Sequence, residues 1–276
     1  MANSATLIAR PRVVQSTARY AVNDGTRRGF GQAPADIRVV EYHDMRSVAT
    51  QPSLEAEGFA LVKHRSSISN FKDGKLVASV YLDELRDLLR QITGSPHVFM
   101  QQNWVVRADP WKFVSEEVAP GKIATSMGTG GFLHIDYDAA SAPNLARQAM
   151  LAAGVHERPK GRLVGINTWR TFSPPPQDKP LGFLDRRTLR ERDLIAQDTV
   201  VHTASFVSYQ IQHNPEHRFC WWSDMTGDEL LLFTGLDEAK GPTSAVAHTA
   251  FDDPTCPPGT PGRESIEARA YVFIDE

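Results

Sequence analysis

The feature that most constrains the fold is the second half of the chain. From residue 162 onward, short strand candidates follow one another at 162–170, 199–211, 217–223, 229–234, 245–251 and 265–273. Turn residues separate them, including Pro174-Pro-Pro176, Asn214-Pro215, Thr226-Gly227, Gly241-Pro242 and the stretch from Pro254 to Gly262. Many short strands with Gly- and Pro-rich turns indicate a sandwich or a barrel, because each strand must bury one face against another sheet. The expected class is therefore α+β, mainly β, with helices to one side.

The first half supplies those helices. Tyr81, Leu85, Leu88, Leu89 and Ile92 recur at helical spacing, which predicts a helix over about 78–93 with one apolar face. Gly94 stands where a left-handed C-terminal cap belongs. A second helix is expected from Ser141 to Ala153, stopped by Gly154. Residues 36–45, 59–64 and 97–106 read as strands. The first 35 residues are polar and carry Gly25, Gly29, Gly31 and Pro34, so 1–35 reads as an irregular N-terminal arm. No linker divides the remainder, and 36–276 reads as one domain.

Composition narrows the function. Thirty basic residues face 33 acidic ones, for a net charge of −3, so no basic excess is available to hold a phosphate backbone and nucleic acid is not an expected partner. Apolar runs such as Leu230–Phe233 are too short for a membrane helix, and Met1–Ala21 has no apolar signal-peptide core. These features fit a soluble, cytoplasmic protein. A homodimer stands only as the commonest oligomer of such chains. With just Cys220 and Cys256, a thiolate metal site is excluded, and any metal falls to the nine histidines and to carboxylates.

One histidine pattern stands out. In Gly131-Phe-Leu-His-Ile-Asp136 the side chains of His134 and Asp136 lie at i and i+2. On a strand this puts both on one face, about 6–7 Å apart along the chain. Two histidines and one carboxylate on one side of a divalent ion leave the opposite positions open, as non-haem Fe(II) oxygenases require. Asp138 can serve as a helix-capping Asx residue in any reading. The further histidine is His248, in the apolar segment Ala245–Phe251. Soon after it, Arg263-Glu-Ser265 opens the last strand. A guanidinium and a hydroxyl at i and i+2 suit a dicarboxylate cosubstrate, through bidentate bonds and an added donor. Arg269 continues that face as an alternative anchor, or pairs with Glu267.

The order His-x-Asp, distant His, then Arg-x-Ser is that of the 2-oxoglutarate-dependent dioxygenases. More narrowly, the sequence resembles the cephamycin methoxylase-component-like and gibberellin-desaturase-like oxidoreductases of bacterial and fungal secondary metabolism. Blocks carrying this resemblance include Gly58-Phe-Ala-Leu-Val-Lys-His64, Asn167-Thr-Trp-Arg170, Pro215-Glu-His-Arg218, Trp221-Trp-Ser-Asp-Met225, His248-Thr-Ala-Phe-Asp-Asp-Pro254 and Arg263-Glu-Ser-Ile-Glu-Ala-Arg269. After Arg170 the chain departs from the pattern with Thr171-Phe-Ser173. The resemblance implies a double-stranded β-helix (jelly-roll, cupin-like) barrel. It implies Fe(II) on His134, Asp136 and His248, with 2-oxoglutarate and O2 as cosubstrates. It also implies C–H abstraction on a secondary-metabolite or amino-acid-like small molecule, leading to hydroxylation, desaturation or ring formation. The competing readings are a metal-dependent hydrolase on the same three ligands and a non-catalytic barrel binding protein.

Other polar residues carry weaker expectations. Arg170 either reaches the cosubstrate or pairs with Asp185 or Asp237. Asn167 shares a face with Trp169 near the site. Gln101, Gln102 and Arg107 line the mouth. Trp111, Trp221 and Trp222 belong to the core. His213 and His217 flank a turn and read as solvated. Glu229 and Asp237 read as structural, and the two cysteines as unpaired thiols.

Overall fold

A computed structural model of the chain describes residues 13–108, 114–127, 131–201 and 204–275. The described residues form sixteen strands: β1 (Val13–Ala21), β2 (Arg28–Gly29), β3 (Ala35–Asp44), β4 (Phe59–Lys63), β5 (Val98–Arg107), β6 (Val114–Ala119), β7 (Lys122–Met127), β8 (His134–Ile135), β9 (Arg162–Thr171), β10 (Leu181–Leu184), β11 (Leu194–Val201), β12 (Ala204–Ile211), β13 (Phe219–Trp221), β14 (Glu229–Asp237), β15 (His248–Ala250) and β16 (Ser265–Ile274). They build two sheets. One runs β1-β3-β13-β10-β15-β8-β12-β11-β2, the other β4-β14-β9-β16-β5-β7-β6. The two sheets form the jelly-roll expected for a mainly β chain.

The sheet interior is set by strands buried on both faces. All nine residues of β14 are buried, and nine of the ten in β9. Between the sheets lie Phe59, Trp169, Phe183, Trp222 and Phe233. The outer face of the second sheet is covered by the helix Leu82–Thr93, whose Leu82, Leu85 and Leu89 pack with Val98, Trp104 and Ile166. Gly94 caps it at φ 70°. The apolar stripe read from the sequence is shifted at its end, because Ile92 is exposed. The helical path also begins earlier, through Gly74–Leu76 and a π-turn at Val77–Tyr81. The second helix spans Ala142–Ala152. Ser141 does not cap it with its side chain; its Oγ accepts from the Val207 N–H, while Asp138 accepts from the Ser141 N–H. Among the described residues, no helix is long and apolar enough to cross a membrane.

Two sequence expectations are corrected. The arm 1–35 is not irregular throughout: β1 pairs antiparallel with β3 from Val13↔His43 to Ala21↔Ala35. Its alternate residues Val14, Ala18 and Tyr20 are buried, a period-2 pattern masked by intervening polar residues. The single strand 199–211 is a hairpin, β11 and β12, joined where the sequence has no Gly, Pro or Asn to mark a turn. A further hairpin, β6–β7, turns through Gly121 at φ 69°. Its polar exposed face, Ser115-Glu-Glu117, hid it from a reading based on apolar alternation.

Candidate metal centre

The site is built on a cross-strand row. His248 stands opposite His134, and His134 opposite Gln210, across the short strands β15 and β8 and the longer β12. Residues directly opposite on neighbouring strands point to the same face. The imidazoles therefore meet, with ring centroids 4.4 Å apart. Each ring is oriented by its Nδ1–H, which donates to a carbonyl: Phe132 O at 2.8 Å for His134 and Val246 O at 3.2 Å for His248. That fixes the tautomer and leaves both Nε2 lone pairs facing inward.

Asp136 follows on the β8 segment and completes the group. Its Oδ1 lies 3.4 Å from His134 Nε2 and 3.9 Å from His248 Nε2. Its Oδ2 is taken from behind: Asn167 Nδ2 donates at 2.5 Å and Arg269 Nε at 2.8 Å. Burial pushes the Asp136 carboxyl up, but the Arg269 guanidinium and the two histidines outweigh it and hold the group well below the usual carboxylate range. Burial, with His134 alongside, pushes the His248 imidazole down to about 4. His248 is thus a neutral donor beside an ionised carboxylate. The three donor atoms lie within 4.8 Å of one another. Two imidazole nitrogens and one carboxylate oxygen converging from one side fit a divalent first-row metal such as Fe(II), with room left for exogenous ligands.

Tyr137 secures the loop. Its hydroxyl enters between β9 and β14 where Gly165 and Gly235 leave space; a Cβ there would come within 2.0 and 2.5 Å of it. Asp136 is thereby held from the next residue along, as well as through its own oxygen.

The last strand brings the other expected residues together. Arg263, 1% exposed, bonds Ser265 Oγ and lies over the Trp169 ring at 5.1 Å. Together with His134, His248, Trp169, Leu181 and Thr249 it lines a small cavity beside the metal ligands. Its backbone N–H donates to Asp178 at 2.7 Å, which fixes the loop before β16. Arg269 is not at that cavity as a carboxylate anchor; it serves Asp136 and pairs with Glu267 at 3.2 Å. Arg170 is placed elsewhere altogether. Asn167 and Trp169 face inward, so alternation turns Arg170 outward. There it donates to Tyr81 Oη, Gly227 O and His64 Nδ1 under the Leu82–Thr93 helix. Neither Asp185 nor Asp237 is its partner: Asp185 holds Arg187, and Asp237 lies near Arg162 and Lys240.

A larger cavity of about 330 Å³ opens on the other side of His134 and Asp136. Gln101 and Arg107 line it as expected, together with Leu145, Gln148, Phe206 and Ser208. Gln102 instead turns back to bond Met100 O. Arg107 and Arg269 both hold Glu267. Burial raises the Glu267 carboxyl, but these two cations bring it down to about 2. Phe30 packs edge-on to His134 at 5.3 Å, so the N-terminal segment reaches the site. No short motif signals Phe30 or the inner residues of the β11–β12 hairpin, because they converge only through tertiary pairing.

The remaining expectations divide. Trp221 and Trp222 are core; Trp111 lies outside the described residues. Glu229 is structural, gripped by Arg46 and Lys63. Both cysteines are free thiols. His217 is not solvated: it is buried between Tyr20 and Asp193, accepting or donating at 3.3 and 3.1 Å.

A jelly-roll with two histidines and an aspartate converging at its mouth defines the class, the non-haem Fe(II)/2-oxoglutarate-dependent oxygenases. Residues 11–273 match the family model described as the oxidoreductase/YMDC permease-like domain, and the chain belongs to that family. It is 30% identical over 277 residues to the hydroxylase/desaturase efuI of Hormonema carpetanum, a match covering 95% of this chain and 90% of that protein. It is 25% identical over 262 residues to the Fe(II)/2-oxoglutarate-dependent dioxygenase nvfI of Aspergillus novofumigatus, covering 90% and 86%. Among solved structures, the iron and alpha-ketoglutarate-dependent endoperoxidase NvfI superposes with a TM-score of 0.77 at 20% identity, over 97% of this chain and 100% of that one. That structural likeness concerns the fold. The resemblance read from the sequence is borne out by these relatives.

Proposed function

We propose that the protein oxidises a small molecule at an unactivated C–H bond, with Fe(II) on His134, Asp136 and His248 and 2-oxoglutarate anchored by Arg263 and Ser265. The observation that carries this reading is the convergence of the three donor atoms within 4.8 Å, backed by a cavity that joins His134 and His248 to Arg263. Bound there with 2-oxoglutarate and O2, the iron supplies an oxidant strong enough to take hydrogen from such a bond, with release of succinate and CO2. The chain's own part is positional. Val246 O and Phe132 O fix the imidazoles, and Asn167 and Arg269 keep one Asp136 oxygen turned inward. Arg263 offers a guanidinium fork to a distal carboxylate, and Ser265 a hydroxyl beside it. Trp169 and Leu181 give that cavity an apolar wall. The large cavity holds the substrate, and its grip decides between hydroxylation, desaturation and ring formation.

The hydrolase alternative requires a carboxylate or histidine free to act as general base. The other carboxylate of the large cavity, Glu267, is committed to Arg107 and Arg269. The oxygenase reading is tested by anaerobic Fe(II) titration followed by O2-dependent succinate release. Fe(II) is expected to bind one per chain and 2-oxoglutarate to add a weak visible band. His134→Ala is expected to abolish both. A variant that binds Fe(II) as tightly as the parent would sink the assignment.

A further inference from the structure

Where arginine grips a carboxylate in this protein, the guanidinium often gives two nitrogens to one partner. Arg46 does so on Glu229 through Nη1 and Nη2. Arg187 does so on Asp185 through Nε and Nη2. Arg107 does the same on Glu267, at 3.3 and 3.2 Å. A planar fork matches the two oxygens of a carboxylate, which makes this the favoured geometry. Arg269, beside the metal ligands, departs from it. Its Nε donates to Asp136 Oδ2 at 2.8 Å, while its Nη2 donates to Glu267 Oε1 at 3.2 Å. The two nitrogens that Arg107 and Arg187 give to one carboxylate are here divided between two.

The division decides what Asp136 can offer. Oδ1 is the oxygen turned to the imidazoles, 3.4 Å from His134 Nε2 and 3.9 Å from His248 Nε2. An undivided fork would lay Nη2 of Arg269 on that oxygen and compete with a metal for it. Asn167 stands opposite Arg269 across β9 and β16, and it too bonds Oδ2 and leaves Oδ1 alone. Glu267 shares the inward face of β16 with Arg269, two residues away. It is clamped by Arg107 from β5, so its Oε1 is a fixed acceptor that receives from both guanidinium groups. Its side chain borders both the large and the small cavity, within reach of the whole centre.

We propose that Glu267 is a positioning residue for the metal site: by engaging one arm of the Arg269 fork, it keeps that fork off Asp136 Oδ1 and leaves this oxygen to the metal. Arg107 acts one step further out, holding Glu267 in place. Arg269 still supplies the positive charge that keeps Asp136 ionised, but through one nitrogen and one oxygen. The inference rests on the oxygenase reading for the identity of the metal, and its test needs no turnover.

Two substitutions separate reach from charge. Glu267→Asp keeps the charge but is one methylene short of Arg269. Glu267→Gln loses the charge but keeps an acceptor at the Oε1 position. Metal-free crystals of Glu267→Asp are expected to show Nε and Nη2 of Arg269 both on Asp136; an Arg269 placed as in the parent would overturn the proposal. In anaerobic Fe(II) titration, Glu267→Asp is expected to lose about 10–100-fold in affinity, the usual effect of removing a partner that orients a ligand. Glu267→Gln is expected to lose less. An equal or greater loss in Glu267→Gln makes charge the cause and refutes the role. Arg269→Lys keeps the cation but has no fork, so adding Glu267→Asp to it should cost little further affinity. The full loss recurring in that background would also refute the role. Thermal melts of the metal-free variants complete the set, because a merely structural Glu267 would lower the melting temperature and spare the metal affinity. Titration of the parent reports on the oxygenase reading by itself: a parent that binds no Fe(II) sinks that reading, while the metal-free crystals still decide where Arg269 lies.

Discussion

Replacing Asn167 by leucine isolates the orientation of the metal-binding carboxylate from its charge. Asn167 is buried at 3% exposure and its Nδ2 donates to Asp136 Oδ2 at 2.5 Å. A hydrogen bond to a buried charged group contributes about 1.5–3 kcal/mol. Leucine has a similar volume, so the cavity cost is small. It also removes Asn167 Oδ1, a buried acceptor without a partner among the described residues. These effects offset each other in the metal-free protein, and its stability is expected to change by no more than about 1 kcal/mol. Arg269 still holds the same oxygen at 2.8 Å, so Asp136 stays ionised but gains freedom to rotate. Loss of such a supporting partner typically weakens metal binding about 10–100-fold, or about 1.4–2.7 kcal/mol. The assay is anaerobic Fe(II) or Mn(II) titration beside a thermal melt of the apo-protein. The expected signature is a large fall in affinity at nearly constant melting temperature. Affinity within twofold of the parent would refute the reasoning and give the orienting role to Arg269 alone.

Three other outcomes follow from the same contacts. Arg263→Met is expected to lose about 2–5 kcal/mol of 2-oxoglutarate affinity while Fe(II) still binds, read by displacement titration on the metal-loaded protein. Arg170→Met should lower stability by about 1–3 kcal/mol through the unpaired groups it leaves at Gly227 and Tyr81, with Fe(II) and 2-oxoglutarate affinities unchanged. Burial raises the Glu229 carboxyl, but Arg46 and Lys63 hold it at about 2, below its unfolded value of 4.5. Its stabilisation is therefore full above pH 4.5 and lost as pH falls toward 2. Lys63 is exposed, so Glu229→Gln should cost only about 1–2 kcal/mol near pH 7, and the gap from the parent should close in acid melts.

How much of this was legible depended on whether the signal was local. His134 and Asp136 announced themselves through i, i+2 spacing, and Arg263 with Ser265 likewise, because a strand's alternation carries geometry directly. The Leu82–Thr93 helix and its Gly94 cap were legible for the same reason. Strand parity alone places Arg170: with Asn167 and Trp169 facing inward, it falls on the opposite side of the sheet. The Asn214-Pro215 turn suggests a solvated His217, but its burial against Tyr20 comes from β1, whose alternation is interrupted at Ser16 and lies nearly 200 residues away in sequence. The opposition of His134 to His248 and to Gln210 had no local signal, because register across strands distant in sequence is not written in any one segment.

The two ligand histidines ride on strands of two and three residues. Elements so short cannot keep their own alignment; it is imposed by β10 and β12 on either side and by the Tyr137 peg. The consequence is an uneven tolerance to length change. The connections before residue 132, whose carbonyl orients His134, and after residue 250 can grow or shrink with little effect on the imidazoles, since neighbouring strands hold the alignment. One residue inserted within 134–135 or 248–250 would instead turn a histidine to the other side of the sheet and end the chemistry at once. What enters the cavity can therefore be altered by editing loops without moving the reactive centre.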